Sequence, residues 1–181
     1  MEIYIDATAL IALGDGGHLA LIENVDGRCV VPETVAAEVT TQPARTRVEM
    51  LTDSDSGPPT ARLQATIDIP QDTLDAATDV LGESTTNGDT EIVASVLWMR
   101  DRGDPVAVIS DDRRVRTVAS DFGATVTGTI GVVVRAVREG LAADEAKAIV
   151  REIDSQGLHL TGELRETAFK LIDGAAADSH D

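Results

Sequence analysis

The sequence predicts an α/β domain in which a mostly parallel sheet is covered by helices on both faces. Three observations lead there. Short β-branched runs alternate with segments of helical periodicity along the chain. In VAVIS (106–110) the first four residues are continuously apolar and rich in valine and isoleucine, as in a strand buried on both faces. No internal repeat or linker divides the 181 residues, a length that suits one compact domain.

The elements follow in order. EIYI (2–5) is a short apolar strand, and ATALIALG is a helix ending at Gly14; a second helix covers His18 to Val25. RCVV (28–31) is a β-branched strand, after which Pro32 opens a helix through about Thr40. Pro43 opens another, to about Leu51. TDSDSGPPT (52–60) is a loop by composition, ATIDI (65–69) a short strand and QDTLDAATDVLG a helix. In EIVASVLWMRDRG, Ile92, Val96 and Met99 keep helical spacing with Val93 and Leu97; Asp89 reads either as the N-cap of this helix or as part of an acid site at its start. VAVIS is the central strand, Asp112 to Ser120 a helix, ATV (124–126) a strand and GTIGVVVRAVREG a helix stopped by Gly140. Two helices, about 142–156 and 161–173, and a disordered tail close the chain.

Composition narrows the function. Apolar residues make up 43% and aromatics only 2%, so the core must be aliphatic. No apolar run approaches the roughly 18 residues of a membrane span. The first ten residues carry acids and no Lys or Arg, unlike a secretory signal, so a cytoplasmic protein is expected. The single Cys29 lies in an apolar run and reads as a small buried hydrophobe; His18, His159 and His180 are scattered, without zinc spacing. The net charge is −17, from 32 acids against 15 bases, of which only Lys147 and Lys170 are lysines. Abundant Asp with scarce Lys resembles proteins adapted to molar salt, such as those of halophilic archaea. At about 1 M salt the Debye length is about 3 Å, so a negative surface repels RNA only weakly at range.

Ligands of open α/β sheets bind beyond the carboxyl ends of the strands. Asp6 directly follows EIYI, and Asp111 and Asp112 directly follow VAVIS, which places all three on one rim. Glu38 falls in the last turn of its helix, where a carboxylate opposes the helix dipole by about 0.3–1 kcal/mol, so it needs a partner elsewhere. Asp89 and Glu91 open the helix that contains Trp98. Several carboxylates gathered within a few Å repel one another unless a cation sits among them. Mg²⁺ takes oxygen ligands, needs no His or Cys, and promotes phosphodiester hydrolysis. Asp6, Glu38, Asp89, Glu91, Asp111 and Asp112 are thus candidate metal ligands, with Asp6, Glu38, Asp89 and Asp112 as catalytic candidates. Arg113, Arg114 and Arg116 are read either as phosphate contacts or as a solvated helix face.

At these residues the chain resembles the PIN-domain nucleases. The matching pieces are IDATALIAL with Asp6 and Thr8, VPETVAAEV with Glu38, NGDTEIVASVL with Asp89 and Glu91, and VISDDRRVRTVA with Asp111 and Asp112. The match covers about residues 1–142 as the nuclease domain, and GATVTGTIGVVVRAVREG is similar to the strand–helix close of one PIN subgroup. Residues 143–181, including GLHLTGELRETAFKLI, look like that subgroup's helical extension, packed on the same domain. The resemblance implies a three-layer α/β/α fold, dependence on Mg²⁺ or Mn²⁺, and endoribonuclease activity on RNA. It also implies a supporting role for the Thr8 hydroxyl and lets Thr127 or Thr129 face the site, although Thr127, just before a helix, reads most simply as its N-cap. Many relatives are toxins of toxin–antitoxin pairs, held by a small antitoxin protein and often homodimeric. The third motif departs from the subgroup's glycine-acid-glycine-glutamate pattern: here it is Thr86-Asn87-Gly88-Asp89, with a shorter acid. A PIN-like fold that has lost catalysis and serves as a binding module is the main rival. A haloacid-dehalogenase-like phosphatase lacks its second acid, because Thr8 stands there, and a phosphoreceiver domain lacks its lysine.

Overall fold

A computed structural model describes residues 1–53 and 69–178, together with the backbone of 61–64. Five strands, β1 (Glu2–Ile5), β2 (Arg28–Pro32), β3 (Ala61–Gln64), β4 (Val106–Ile109) and β5 (Thr125–Thr127), form one sheet in the order β3-β2-β1-β4-β5. Every neighbouring pair is parallel. The central strands β1 and β4 are paired from Glu2↔Val106 to Ile5↔Ile109, and all four residues of β4 are buried. That two-sided burial is why VAVI reads as a continuous apolar run.

The helices are α1 (Ala7–Gly16), α2 (Glu33–Glu38), α3 (Ala44–Thr52), α4 (Gln71–Leu81), α5 (Gly88–Arg102), α6 (Arg113–Asp121), α7 (Thr129–Arg138), α8 (Ala143–Ile153) and α9 (Gly162–Asp178). Right-handed crossovers fix their faces. From β1 the chain moves outward to β2 and β3, which puts α1 and α3 on one face. It then returns past β1 to β4, which puts α4 and α5 on the other. From β4 it continues in the same direction to β5, which puts α6 on the face of α4 and α5. The packing agrees: α1, α3, α7, α8 and α9 contact one another, as do α4, α5 and α6. The result is the expected three-layer α/β/α architecture. An aliphatic core surrounds the sheet, and a second apolar cluster of Leu74, Ala77, Leu81, Val93 and Leu97 joins α4 to α5.

The chain leaves β1 and β4 in opposite directions, so the crevice between their carboxyl ends is the switch point where such sheets bind ligands. Three differences from the sequence expectations concern local chemistry. The segment after α1 is a 3₁₀ turn (Leu19–Asn24) instead of an α-helix. The third strand is Ala61–Gln64, earlier than the expected 65–69, of which 65–68 lie outside the described residues. The N-cap of α5 is Asn87, not Asp89: Asn87 accepts from the Thr90 N–H at 3.0 Å, and the Thr90 hydroxyl accepts from the Asn87 N–H at 2.7 Å, a reciprocal capping box. Helices α8 and α9 pack on α7 and are joined by a π turn, Asp154–Leu158. The tail expected to be disordered falls partly within α9, and its last residues, 179–181, lie outside the described residues. Among the described residues no helix is long and apolar enough to cross a membrane.

Candidate active site

Asp6 ends β1 and caps α1. Its backbone N–H continues the sheet by donating to the Ile109 carbonyl at 3.0 Å, and its carboxylate turns onto the helix start. Oδ1 accepts from the Thr8 N–H, from the Thr8 hydroxyl at 2.7 Å and from the Ala9 N–H at 3.4 Å. Oδ2 accepts from the hydroxyl of Ser110, the residue that follows β4. The same hydroxyl accepts from the Asp112 N–H at 3.1 Å. One buried serine thus couples the two strand ends that carry acids. Asp112 in turn caps α6, its Oδ1 accepting from the N–H groups of Arg114 at 2.6 Å and Val115 at 3.0 Å. Both acids are N-caps because the strand delivers an extended residue at the point where a helix begins. Capping leaves capacity for a ligand: a carboxylate has about four lone-pair sites, and neither Asp6 Oδ2 nor Asp112 Oδ2 uses all of its own.

Asp111 is used differently. Oδ1 accepts from the Thr129 N–H at 2.9 Å and Oδ2 from the Thr129 hydroxyl, so this acid holds the start of α7. Gly128 makes that approach possible, since a Cβ there would lie 2.6 Å from Asp111 Oδ1. Burial raises the Asp111 carboxyl; the two Thr129 bonds pull it back, Asp6 pushes it up and Arg116 pulls it down. The Asp111–Asp112 pair therefore divides its work: Asp111 is committed to Thr129, and Asp112 keeps one oxygen open.

Glu38 finds the partner that its helix denies it. It is the last residue of α2, and its Oε1 accepts from the Gly88 N–H at 2.8 Å, moving its charge from the C-terminus of α2 to the N-terminus of α5. Gly88 is required for this contact: a Cβ there would meet both Glu38 carboxylate oxygens and Val35 Cγ2 at 2.9 Å. One residue on, Asp89 faces the rim. Its carboxyl is held above the ordinary range, first by burial, then by the charges of Asp6, Asp112 and Glu38, with Arg114 opposing. Arg114 lies 3.5 Å from Asp89 Oδ2 and 2.6 Å from Glu83 Oε1.

The fold therefore brings Asp6, Glu38, Asp89 and Asp112 into one electrostatic group. The expectation of six acids closed around an ion needs correction in two respects. Among the described residues no three Asp, Glu, His or Cys side chains form a ready-made metal cage. Glu91 is not an open ligand. It is entirely buried, its Oε2 accepts from the Thr34 hydroxyl, and its Oε1 has no hydrogen-bond partner. It points into the α2–α5 contact because α5 is buried all round from Thr90 to Leu97, leaving no solvent face at that position. Ser110 and Thr34 were missed by sequence reasoning, as a lone hydroxyl carries no periodic signal. Cys29 is buried, which pushes its thiol up to about 12 and keeps it protonated and inert.

The PIN-domain sequence profile matches residues 2–173. The chain belongs to the PIN-domain family. No curated protein matches it. PIN domains are generally nucleases and generally use divalent metal ions. In this PIN domain the donor chemistry fits such an ion. The available atoms are carboxylate oxygens, free lone pairs remain on Asp6 and Asp112, and Asp89 sits in a field of three like charges that a cation would relieve. A hard divalent ion needs only one or two protein carboxylates, with waters completing its shell.

Proposed function

We propose that this PIN domain is a divalent-cation-dependent endoribonuclease that hydrolyses RNA phosphodiester bonds. The observation that carries the reading is the meeting of the Asp6, Glu38 and Asp112 charges at Asp89, at the switch point of the sheet. Asp6 and Asp112, with Asp89 or Glu38, would hold Mg²⁺ or Mn²⁺. When bound, such an ion would polarise the phosphate and acidify a water. The chain's own residues do the rest. Ser110 and Thr8 fix Asp6 Oδ2 and Oδ1 toward the crevice. Of Asp89 and Glu38, the carboxylate that does not hold the ion is placed to orient the water and take up its proton. Arg113 and Arg116 form no ion pair among the described residues and lie on the exposed side of α6, where they suit phosphate contacts.

On this reading the protein acts in a cytoplasm of high salt, where its −17 charge repels RNA least. A toxin role, with a small antitoxin partner and a homodimeric state, is part of the same proposal. One observation favours a second reading. Asp89, the shortened acid of the third motif, is engaged by Arg114, as in a PIN-like module that binds RNA or protein without cutting. The two separate in a cleavage assay in molar salt with Mn²⁺ or Mg²⁺. The nuclease cuts RNA, stops with chelator and is silenced by Asp6→Asn; equal inertness of wild type and variant across varied RNAs favours the module.

A further inference from the structure

Beside the acids a cleft of about 410 Å³ opens, within the size range of small-ligand sites. One wall is Thr8, Ile11 and Ala12 of α1, and the end nearest the acids is Asp111 and Asp112. The opposite wall comes from far along the chain, from Gln156, Gly157 and Leu158 in the π turn after α8. This turn is tied down on several sides. Asp154 accepts from the Leu160 N–H at 2.7 Å and pairs with Arg165 at 2.9 Å, while Glu152 contacts His18 at 3.1 Å across to the end of α1. Gly157 (φ 133°) and His159 (φ 52°) take left-handed backbone conformations, so the turn is shaped by unusual geometry as well as pinned. Ile11, Ala12 and Leu158 supply aliphatic lining, and the exposed Gln156 donates from Nε2 to Glu152 Oε1 at 3.3 Å.

The geometry points to a base-binding subsite: the nucleoside next to the scissile phosphate of single-stranded RNA packs its base against Ile11, Ala12 and Leu158, and the Gln156 carboxamide hydrogen-bonds the base edge. The inference rests on the nuclease reading for the placement of the phosphate. The cleft adjoins that phosphate position through Asp112, and away from the acids it combines the aliphatic Ile11, Ala12 and Leu158 with the Gln156 carboxamide, which can both donate and accept. An unstacked base needs both, and a side-chain amide suits adenine best. An acidic peptide is disfavoured by Asp111 and Asp112 at the inner end.

Two measurements on the full chain test it. Cleavage sites are mapped on RNAs randomised around the cut, for wild type, Gln156→Ala and Leu158→Ala. Base preference at one flanking position should fall about five-fold or more in either variant, the size expected for one lost base contact. Separately, each of the four nucleoside 5′-monophosphates is titrated into ¹⁵N-labelled wild type with Mg²⁺. The amide signals of Ala12, Gly157 and Leu158 should move, most with the preferred base. RNA cleavage with unchanged preference in both variants and still amides overturns the subsite while leaving the nuclease standing. Amide shifts without cleavage of any RNA keep the subsite and defeat the nuclease.

Discussion

Asp6 and Asp112 stand at the ends of neighbouring strands, each wrapped onto the first turn of the helix that follows, with Ser110 bonded to both. Glu38 and Asp89 come from the end of one helix and the start of another, and the contact between them and the rest rests on Gly88 and on Arg114. The first pair is placed by local backbone geometry. The second is placed by tertiary packing, and it is where burial first, and then the accumulated like charges, raise a carboxyl. A site can thus be rigid where its scaffold is a sheet and adjustable where its scaffold is a helix junction.

Breaking the rigid half should have the largest effect. Asp6→Asn keeps a competent N-cap, because Asn caps as well as Asp, but removes the charge. RNA cleavage should drop by about 100-fold or more while the melting temperature barely changes. Loss of folding together with activity would show that the residue is structural only. Ser110→Ala removes the hydroxyl shared by both acids, and cleavage should fall about 10- to 100-fold. Stability should fall by about 1–3 kcal/mol by denaturant titration, because a buried Asp112 N–H and an Asp6 oxygen lose their partner.

The adjustable half should respond in stability before activity. Gly88→Ala drives a methyl group into Glu38 and Val35, and should cost about 1–3 kcal/mol by the same titration. An unchanged midpoint would mean that Glu38 simply moves aside. The smallest effect concerns pH. The folded chain binds the Asp89 proton more tightly than the unfolded chain does. This group's contribution to stability is therefore best in acid and declines as pH rises through the ordinary carboxylate range, levelling once the folded carboxyl ionises. Asp89→Asn should raise the melting temperature at neutral pH without divalent ion. Added Mn²⁺ should raise that of wild type more than that of the variant. A variant less stable than wild type at neutral pH would contradict the repulsion inferred at Asp89.

Much of this was legible in the sequence. IYI (3–5) and VAVI (106–109) announce central strands by being apolar throughout, and an acid right after such a strand sits on the ligand rim whatever its neighbours do. Glu38 was legible as a misfit in its own helix. Other features depend on contacts that no local pattern encodes. Ala61–Gln64 lacks a β-branched run and is a strand because β2 offers it an edge. Ser110 gains its role only when β1 and β4 lie side by side. Glu91 occupies the same first turn as Asp89, and only the full burial of α5 turns one inward while the other stays at the rim.

Each acid of the rim contacts backbone N–H groups at a helix start or sits in a first turn: Asp6 at α1, Asp112 at α6, Asp111 at α7, Glu38 and Asp89 at α5. Asp6, Asp111, Asp112 and Glu38 are therefore oriented by backbone amides, while Asp89 is left to the Arg114 guanidinium. Since no three of these acids among the described residues already form a cage, a divalent ion would have to draw Asp89 away from Arg114, and titrating Mg²⁺ into labelled protein should shift the Arg114 side-chain signal before it shifts the amides of the sheet.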